Sequence, residues 1–245
     1  MKTIAIIPAR FASSRFPGKP LVDIDGKSMI QRVYEQVLIV NDLAAVIIAT
    51  DDQRIFDHAQ SFNAQVMMTN DAHPSGTDRC AEVVEKYGDC DLVLNVQGDE
   101  PFIDPEQIES LIQVMVNNQD FQIASLARKI DTTEELFNPN VVKVVIGQQM
   151  QALYFSRHPI PFLRNENQAD WLTHHCFYKH LGLYAYRSAT LNEIHQLPPS
   201  NLEKAESLEQ LRWLENGYSI GMALTDKESF GIDTPEDLES LKRKL

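Results

Sequence analysis

The segment IAIIPARFASSRFPGK, residues 4–19, indicates both the fold and the chemistry of this chain. It begins with an apolar run, rich in isoleucine, that stops at Pro8. This pattern is typical of a buried strand ended by a residue without a backbone N–H. A turn of small residues follows and carries Arg10, Arg15 and Lys19. Small residues let backbone N–H groups approach phosphate oxygens, and the cations neutralise them, so the segment predicts a nucleoside triphosphate at the end of the first strand.

Two common phosphate-binding motifs are absent from the sequence. A P-loop ending in Gly26-Lys27-Ser28 would need a glycine where this chain has Leu21. The GxGxxG fingerprint of dinucleotide-binding proteins does not occur either. The triphosphate site is therefore predicted from the cationic turn alone.

The composition excludes several classes of function. The 245 residues carry a formal net charge of −13, which argues against nucleic acid as a partner and requires a local cationic cluster, with a divalent cation, to hold a nucleotide. Cys80, Cys90 and Cys176 are scattered and predict neither a disulfide framework nor a CxxC metal site. No apolar run reaches the length of a signal peptide or a membrane span, so we expect a soluble cytoplasmic protein without membrane insertion.

Apolar strands alternate with amphipathic helices through the first half of the chain. This order predicts an α/β fold: a mostly parallel, doubly wound (Rossmann-like) sheet with helices on both faces. Ligands of such sheets bind outside the carboxyl ends of the strands, where the segments PARFASSR, TDD and QGDEP are predicted to converge. The predicted strands lie at residues 4–8, 44–50, 65–68 and 91–96, and the predicted helices at residues 29–40, around 55–59, at 78–87 and from Pro105.

The second half is less regular, with predicted strands joined by longer connections. Residues 200–216 have the pattern of one charged amphipathic helix. The terminal helix has Thr234 as N-cap, Pro235 at the first position and Asp237 at the third. Because no repeat or low-complexity linker is visible, we expect residues 1–245 to form one domain, with an inserted lobe at about 130–215 that closes over the site or forms a subunit interface.

Two aspartates are candidate metal ligands. Asp99 follows a predicted strand in QGDEP, and Asp233 precedes the terminal helix in GIDTPED. Mg²⁺ is usually held by one or two carboxylates together with phosphate oxygens and waters. The alternatives are a turn residue for Asp99 and a helix-dipole acid for Asp233. Asp51 and Asp52 also follow a strand, and we interpret them as helix-start acids.

A cluster of histidines resembles a zinc site but does not satisfy its requirements. His174, His175, Cys176 and His180 lie close in sequence, yet no second pair of ligands is visible. We expect His180 either to point into a substrate pocket or to be a buried, hydrogen-bonded histidine.

Several other polar side chains of the second half are candidates for binding an acidic substrate. Glu206, Glu209 and Gln210 are predicted to lie on one helix within a turn of each other, either in a pocket or on a solvated face. Arg157 follows the predicted strand ALYFS and could pair with a substrate carboxylate or with an acid on a neighbouring helix.

Taken together, these segments resemble the 3-deoxy-manno-octulosonate cytidylyltransferase (CMP-KDO synthetase) family almost from end to end. The resemblance rests on the ordered set of segments rather than on one motif. The segments are IIPARFASSRFPGKPL, GKSMI, VIIATDD, HPSGTDR, NVQGDEPFI, LFNPNVVKVV, ALYFSR, KHLGLYAYR, ESLEQLRWLENG and GIDTPEDLE.

The resemblance implies a nucleotidyltransferase sheet and a role for each matched residue. Arg10, Arg15 and Lys19 would hold the phosphates of CTP, with Lys19 and Arg15 catalytic, and Asp99 and Asp233 would carry Mg²⁺. The remaining implied residues line two subsites. Ser75, Gly76, Thr77, Arg79 and Gln97 would lie at the cytosine and ribose, and Arg157, His180, Tyr184, Glu209 and Gln210 would line the sugar-acid pocket.

The implied reaction transfers CMP from CTP to 3-deoxy-D-manno-octulosonate (KDO), with release of pyrophosphate, for lipopolysaccharide biosynthesis. The family also implies a homodimer. The alternatives are a synthetase for a related sugar acid (8-amino-KDO or sialic acid), a nucleotide-sugar glycosyltransferase and a nucleotide-sensing protein without catalysis.

Overall fold

The computed structural model describes residues 1–12, 16–228 and 231–242 and, at Lys242, the backbone alone. The predicted phosphate ligand Arg15 lies outside the described residues. The chain divides into two compact units. Unit 1 comprises Met1–Glu109, Tyr186–His195 and Glu228–Leu245, and unit 2 comprises Ser110–Ala185 and Gln196–Lys227. The residues of the expected lobe, about 130–215, belong to unit 2 except for Tyr186–His195.

The strands and helices of the described residues follow in chain order. The strands are β1 (Thr3–Ala9), β2 (Asp23–Ile24), β3 (Lys27–Ser28), β4 (Leu43–Thr50), β5 (Gln65–Met68), β6 (Leu92–Asn95), β7 (Ile123–Lys129), β8 (Lys143–Ile146), β9 (Ala152–Ser156), β10 (Tyr178–Arg187) and β11 (Ile220–Thr225). The α-helices are α1 (Met29–Leu38), α2 (Gln53–Ser61), α3 (Gly76–Tyr87), α4 (Pro105–Asn117), α5 (Thr133–Phe137), α6 (Trp171–His174), α7 (Ser188–Ile194), α8 (Asn201–Glu206), α9 (Gln210–Glu215) and α10 (Pro235–Lys242).

Unit 1 contains the parallel strands that the sequence predicts, in the order β6-β1-β4-β5. Ile4, Ile6 and Ile7 of β1 are fully buried although successive side chains point to opposite faces. Both faces are therefore covered, and α1 and α3 each contact β1. The prediction of a mostly parallel α/β sheet is confirmed.

Strand β1 extends past the proline that was expected to end it. Ile6 accepts a hydrogen bond from the N–H of Val96, on the β6 side, and the pairing with β6 ends at Ile6. The backbone nitrogen of Pro8 faces the same side as the backbone of Ile6, because residues two apart in a strand have the same orientation. Its missing N–H therefore faces a position without a partner strand, and β1 continues to Ala9 against β4.

Local capping signals fix the helix starts of unit 1. The Asp52 carboxylate accepts from the N–H of Arg54, which confirms it as a helix-start acid. Thr234 Oγ1 accepts from the Asp237 N–H while Asp237 accepts from the Thr234 N–H, the reciprocal pattern of a capping box. Helix α3 begins at Gly76, two residues earlier than predicted, because Ser75 caps it.

Unit 2 is built on β7, which lies between β11 and β10, with β8 and β9 added in antiparallel pairs. A satellite core forms where Ile130 and Leu136 pack with Trp171 and Phe177. The rings of Trp171 and Phe177 stack with centroids 5.9 Å apart.

The prediction of one helix over residues 200–216 is wrong, because the chain breaks between α8 and α9. Ser207 adopts a left-handed conformation with φ of 51°. The carbonyls of Glu206 and Ser207 accept hydrogen bonds from the Arg157 guanidinium instead of from helical N–H groups. Glu206 therefore ends α8, while Glu209 occupies the N-cap position of α9 without a side-chain cap and Gln210 starts that helix, so these residues do not share one helix.

No helix within residues 1–12, 16–228 and 231–242 has the length and apolar composition that crossing a membrane requires.

Candidate active site

A lysine joins the two predicted metal carboxylates in unit 1. The Lys19 ammonium lies 2.7 Å from Asp99 Oδ2 and 3.1 Å from Asp233 Oδ1. Because both oxygens contact one nitrogen, they lie at most about 6 Å apart. The Lys19 side chain is 13% exposed and the two aspartates are 27% and 45% exposed, so the cluster borders solvent. Two acids 134 positions apart in sequence thus meet at one cation. The strand-end argument predicted that Asp99 would lie near the cationic turn, but it did not include Asp233.

The local backbone explains how Lys19 and Asp99 reach this point. Gly18 has a φ of 74° and donates its N–H to the carbonyl of Phe11, which closes the cationic turn. A Cβ on Gly98 would lie 2.7 Å from the carbonyl oxygen of Pro8, so only glycine lets the segment with Asp99 approach the end of β1 so closely. The Asp99 carbonyl accepts from the Ile232 N–H at 2.9 Å, which brings Asp233 alongside.

A cavity of about 370 Å³ opens over this cluster. It brings together five of the predicted site residues, which supply cationic, acidic and amide groups. The lining residues are Pro8, Ala9, Arg10, Ala12, Lys19, Pro20, Gln97, Gly98, Asp99 and Asp233.

Arg10 reaches this cavity with its guanidinium partly engaged. Its Nη2 donates to the carbonyl of His73 at 2.6 Å. Burial, and next the positive charge of Arg79, lower the pKa of Arg10, and Asp51 and Asp78 oppose the shift. Arginine stays protonated despite such a shift, so Arg10 keeps its positive charge beside the cavity.

Arg79 is fully buried and joins the ends of two strands to α3. Its Nη2 lies 2.8 Å from Asp51 Oδ2, just after β4, and its Nη1 donates to Thr69 Oγ1, just after β5. Asp51 is therefore an ion-pair partner of Arg79 and not a helix-start acid, a role that Asp52 fills. The cytosine or ribose contact predicted for Arg79 stays a prediction.

The other predicted nucleoside residues begin helix α3. The Ser75 hydroxyl accepts from the Asp78 N–H and donates to the Asp78 carboxylate, so it caps the helix. A Cβ on Gly76 would lie 3.5 Å from the Pro8 ring, and Thr77 is buried. Ser75, Gly76 and Thr77 therefore lie close to the end of β1.

Sequence reasoning missed Asn95, which ends β6. Its side chain is 4% exposed, and its Oδ1 finds no hydrogen-bond donor among the described residues. A Cβ on Gly76 would lie 3.8 Å from Asn95 Nδ2. The sequence feature that could have indicated Asn95 is the single amide side chain in the otherwise apolar run LVLN.

The predicted sugar-binding residues all belong to unit 2. His180 Nε2 lies 2.8 Å from Ser125 Oγ, and the same hydroxyl donates to the Leu183 carbonyl at 2.9 Å. A hydroxyl has one proton, so Nε2 of His180 is the donor and Nδ1 is an acceptor. Burial lowers the pKa of His180 to about 3, and the ring is therefore neutral near pH 7.

Tyr184 lies beside His180 and close enough to Glu209 to feel its charge. The rings of His180 and Tyr184 have centroids 5.4 Å apart, and Tyr184 packs edge-on against Trp213. Burial, and next the negative charge of Glu209, raise the pKa of Tyr184 well above its usual value. Gln210 is 4% exposed and follows Glu209. We refer to His180, Tyr184, Glu209 and the adjacent Gln210 as the polar group of unit 2.

The Arg157 guanidinium does not form the expected alternative pair with an acid of a neighbouring helix among the described residues. Its guanidinium donates to the carbonyls of Pro139, Glu206 and Ser207, and its backbone N–H, not its side chain, donates to the Glu206 carboxylate. The second N–H groups of Nη1 and Nη2 have no acceptor among the described residues. A bidentate contact with a ligand carboxylate stays a prediction.

Comparison with known proteins identifies the family. A family model described as cytidylyltransferase matches residues 4–224. The 3-deoxy-manno-octulosonate cytidylyltransferase of Parabacteroides distasonis is 56% identical over 244 residues, which cover 98% of this chain and 96% of that protein. The chain belongs to the 3-deoxy-manno-octulosonate cytidylyltransferase family. The family member of Bacteroides thetaiotaomicron is 53% identical and covers 100% of this chain and 98% of its own length.

Solved structures agree with the family and with the fold. The structure of a CMP:2-keto-3-deoxy-manno-octonic acid synthetase complexed with CTP superposes with a TM-score of 0.93 at 44% identity, covering 100% of this chain and 98% of that one. The 4-diphosphocytidyl-2C-methyl-D-erythritol synthase of Anaerococcus prevotii, at 14% identity and a TM-score of 0.62, shares the fold alone; the match covers 99% of this chain and 98% of that one. The family predicted from the sequence is confirmed.

Proposed function

We propose that this chain transfers CMP from CTP to the anomeric hydroxyl of 3-deoxy-D-manno-octulosonate and releases pyrophosphate, for lipopolysaccharide biosynthesis. Full-length relatives with this name and a similar structure holding CTP support the assignment. The observation that carries it is the Lys19 ammonium between Asp99 and Asp233, in a cavity that Arg10 also lines. Cations and carboxylates together suit a triphosphate that is bound with a metal ion.

The reaction is an in-line displacement at phosphorus. The sugar oxygen forms a bond to the α-phosphorus, and the bond from that phosphorus to the bridging β-phosphate oxygen breaks. Pyrophosphate leaves with the electron pair, and the hydroxyl proton passes to solvent. The protein needs no covalent intermediate, so positioning and charge stabilisation supply the rate enhancement.

Lys19 and Arg10 have separate tasks in this proposal. Lys19 leaves the two aspartates and stabilises the negative charge that develops on the phosphates, which is the preorganised electrostatic role of a catalytic cation. Arg10 holds the triphosphate from the other side of the cationic turn. Arg15, the third predicted cation, lies outside the described residues and completes the phosphate contacts in this proposal.

Asp99 and Asp233 suit a magnesium ion. Mg²⁺ binds oxygens at about 2.0–2.1 Å and takes one or two protein carboxylates alongside phosphate oxygens. Their oxygens already share one cation, Lys19 Nζ, at 2.7 and 3.1 Å, so the same two carboxylates would hold the magnesium ion. No cluster of three or more histidine, cysteine or acidic residues suits a metal within the described ranges, so this pair is the proposed ligand set. Bound magnesium would neutralise phosphate charge.

The polar group of unit 2 suits a hydroxyl-rich sugar acid. His180 offers an acceptor at Nδ1, Tyr184 a hydroxyl, Glu209 a carboxylate and Gln210 an amide, which together match several sugar hydroxyls. We propose that Arg157 binds the sugar carboxylate with its remaining N–H groups, as a planar bidentate donor can.

We also propose that the chain acts as a cytoplasmic homodimer. Met150, Leu153 and Leu224 are 38%, 54% and 48% exposed. They lie on neighbouring segments of unit 2, because Met222 N–H donates to the Met150 carbonyl and Gln151 bridges to Gly221. Light scattering after gel filtration tests this proposal; a monomeric mass for the wild type at micromolar concentration contradicts it.

A coupled pyrophosphate assay tests the function. CTP, UTP and ATP are each combined with KDO, 8-amino-KDO and sialic acid in the presence of Mg²⁺, and CTP with KDO is expected to give the fastest release. Release of a nucleoside phosphate from a nucleotide sugar would favour a glycosyltransferase. Binding of CTP without Mg²⁺ and without turnover would favour a nucleotide-sensing protein. Either result contradicts the proposal.

A further inference from the structure

Unit 2 buries a lysine that the proposed reaction does not use. Lys143 is the first residue of β8 and is 0% exposed. Its ammonium donates to the carbonyls of Asn138 at 2.8 Å, Val141 at 2.6 Å and Arg157 at 2.8 Å. Each of the three ammonium protons therefore has one backbone acceptor.

The surroundings of Lys143 indicate a role other than simple packing. A buried ammonium is costly unless it is fully hydrogen-bonded, and an apolar residue of similar length would fill the same space without that cost. The pKa of Lys143 is lowered to about 8, chiefly by burial. The negative charge of Glu206 opposes this shift and the positive charge of Arg157 adds to it. What the lysine contributes is the link among three carbonyls that no apolar residue could make.

The linked carbonyls belong to the segments that carry two of the proposed sugar-acid ligands. Residues 138–141 follow α5, and Arg157 follows β9. Arg157 in turn donates through Nη1 to the Pro139 carbonyl at 3.1 Å, within the loop that Lys143 holds. The next carbonyl along, that of Val142, accepts from the His180 N–H at 2.8 Å. The loop 138–141 thus contacts Arg157, and Val142, which joins this loop to β8, contacts His180.

We infer that Lys143 is a positioning residue for the sugar acid: it ties the loop 138–141 to the Arg157 backbone and thereby sets the places of Arg157 and His180. This inference rests on the proposed function, which assigns those two residues to the sugar acid. The three acceptors of Lys143 all belong to unit 2, as do the proposed sugar-acid ligands, so we expect its loss to affect the sugar acid and not CTP.

Steady-state kinetics of Lys143→Met test the inference. The variant keeps the chain length and removes all three donors, and a displacement on the ångström scale is expected to raise KM for KDO about tenfold or more while KM for CTP changes by less than about twofold. Lys143→Arg keeps the charge and the donors and is expected to restore part of the loss. Lys179→Met is the matched control: Lys179 lies opposite Lys143 in the β8–β10 pair and binds Glu135, so its loss lowers the melting temperature without a selective change in KM.

The outcomes separate this inference from the proposed function. Lack of pyrophosphate release by the wild type with CTP and KDO contradicts the proposed function. Equal changes of both KM values in folded Lys143→Met, or none, contradict the inference. Should that variant not bind CTP or show no cooperative melting, Lys143→Gln decides, because its neutral amide keeps two donors and leaves no charge to bury. A selective rise in KM for KDO in that variant supports the inference, and its absence refutes it.

Discussion

Replacing Lys19 by methionine isolates the cation that joins the two aspartates of the active site. Methionine keeps most of the length of the side chain and removes the ammonium, which lies 2.7 Å from Asp99 and 3.1 Å from Asp233. The variant removes the ammonium from between two carboxylates that lie at most about 6 Å apart. We expect two consequences: slower turnover, and a metal site that is open in the absence of nucleotide.

The size of the effect on metal affinity in the absence of nucleotide follows from Coulomb's law. Two like charges 6 Å apart repel by about 3 kcal/mol at an effective dielectric constant of 20 and by about 0.7 kcal/mol in water. The aspartates are 27% and 45% exposed, which places the value near the lower end, at about 1 kcal/mol. A divalent cation that binds both carboxylates relieves this repulsion and no longer competes with Lys19. Mn²⁺ should therefore bind Lys19→Met about fivefold or more tightly than it binds the wild type without CTP.

Titration with Mn²⁺, followed by the electron paramagnetic resonance signal of the free ion, measures this affinity with and without CTP. Lys27→Met is the control, because Lys27 forms an exposed pair with Glu35. Turnover of Lys19→Met should fall about 100-fold or more, the scale for losing one preorganised electrostatic group. Unchanged Mn²⁺ affinity in the absence of CTP, or near-normal pyrophosphate release, would refute the reasoning.

Three further predictions concern stability and are measured by urea unfolding. Gly98→Ala places a Cβ 2.7 Å from the Pro8 carbonyl oxygen and should lower the free energy of unfolding by about 1–3 kcal/mol, whereas Gly231→Ala enters open space and should change it little. The folded pKa of His180, about 3, lies below its unfolded value, so the unfolded state binds the extra proton. As the pH drops from about 6.5 towards 3, this group should therefore lower the wild-type free energy of unfolding by about 1.4 kcal/mol per pH unit. His180→Gln should lack this contribution. The prediction is contradicted if the free energy of unfolding of the wild type and of His180→Gln changes equally with pH between pH 7 and pH 5. Ser207 has a φ of 51°, so Ser207→Gly should raise the free energy of unfolding by up to about 1 kcal/mol and Ser207→Val should lower it by about as much; the reverse order contradicts the account of the helix break.

The parallel sheet of unit 1 was predictable because its signals are local. Each strand is an apolar run. Helices α2, α3 and α10 each begin after a side chain that accepts a hydrogen bond from an N–H of the first helical turn. Errors at these ends are small: β1 runs one residue beyond Pro8, because its missing N–H faces a position without a strand.

The meeting of Lys19, Asp99 and Asp233 was predictable for a different reason. Parallel strands deliver whatever follows them to one edge of the sheet, so a cationic turn and an acidic turn after two such strands must be neighbours. Asp233 follows no strand of this set. Its placement depends on the backbone hydrogen bond from Ile232 to Asp99, which the sequence does not reveal.

The break between α8 and α9 could not be predicted, because its cause lies about 50 positions away. A continuous helix over residues 200–216 would need the carbonyls of Glu206 and Ser207 to accept from N–H groups four residues ahead. The Arg157 guanidinium donates to both carbonyls instead, and the amphipathic pattern of residues 200–216 does not indicate this donor. The same residue is proposed to bind the sugar carboxylate. Loss of activity on replacing Arg157 would therefore combine a missing ligand with lost hydrogen bonds to the carbonyls between α8 and α9, whereas the Lys143 variants retain the guanidinium and change only its support.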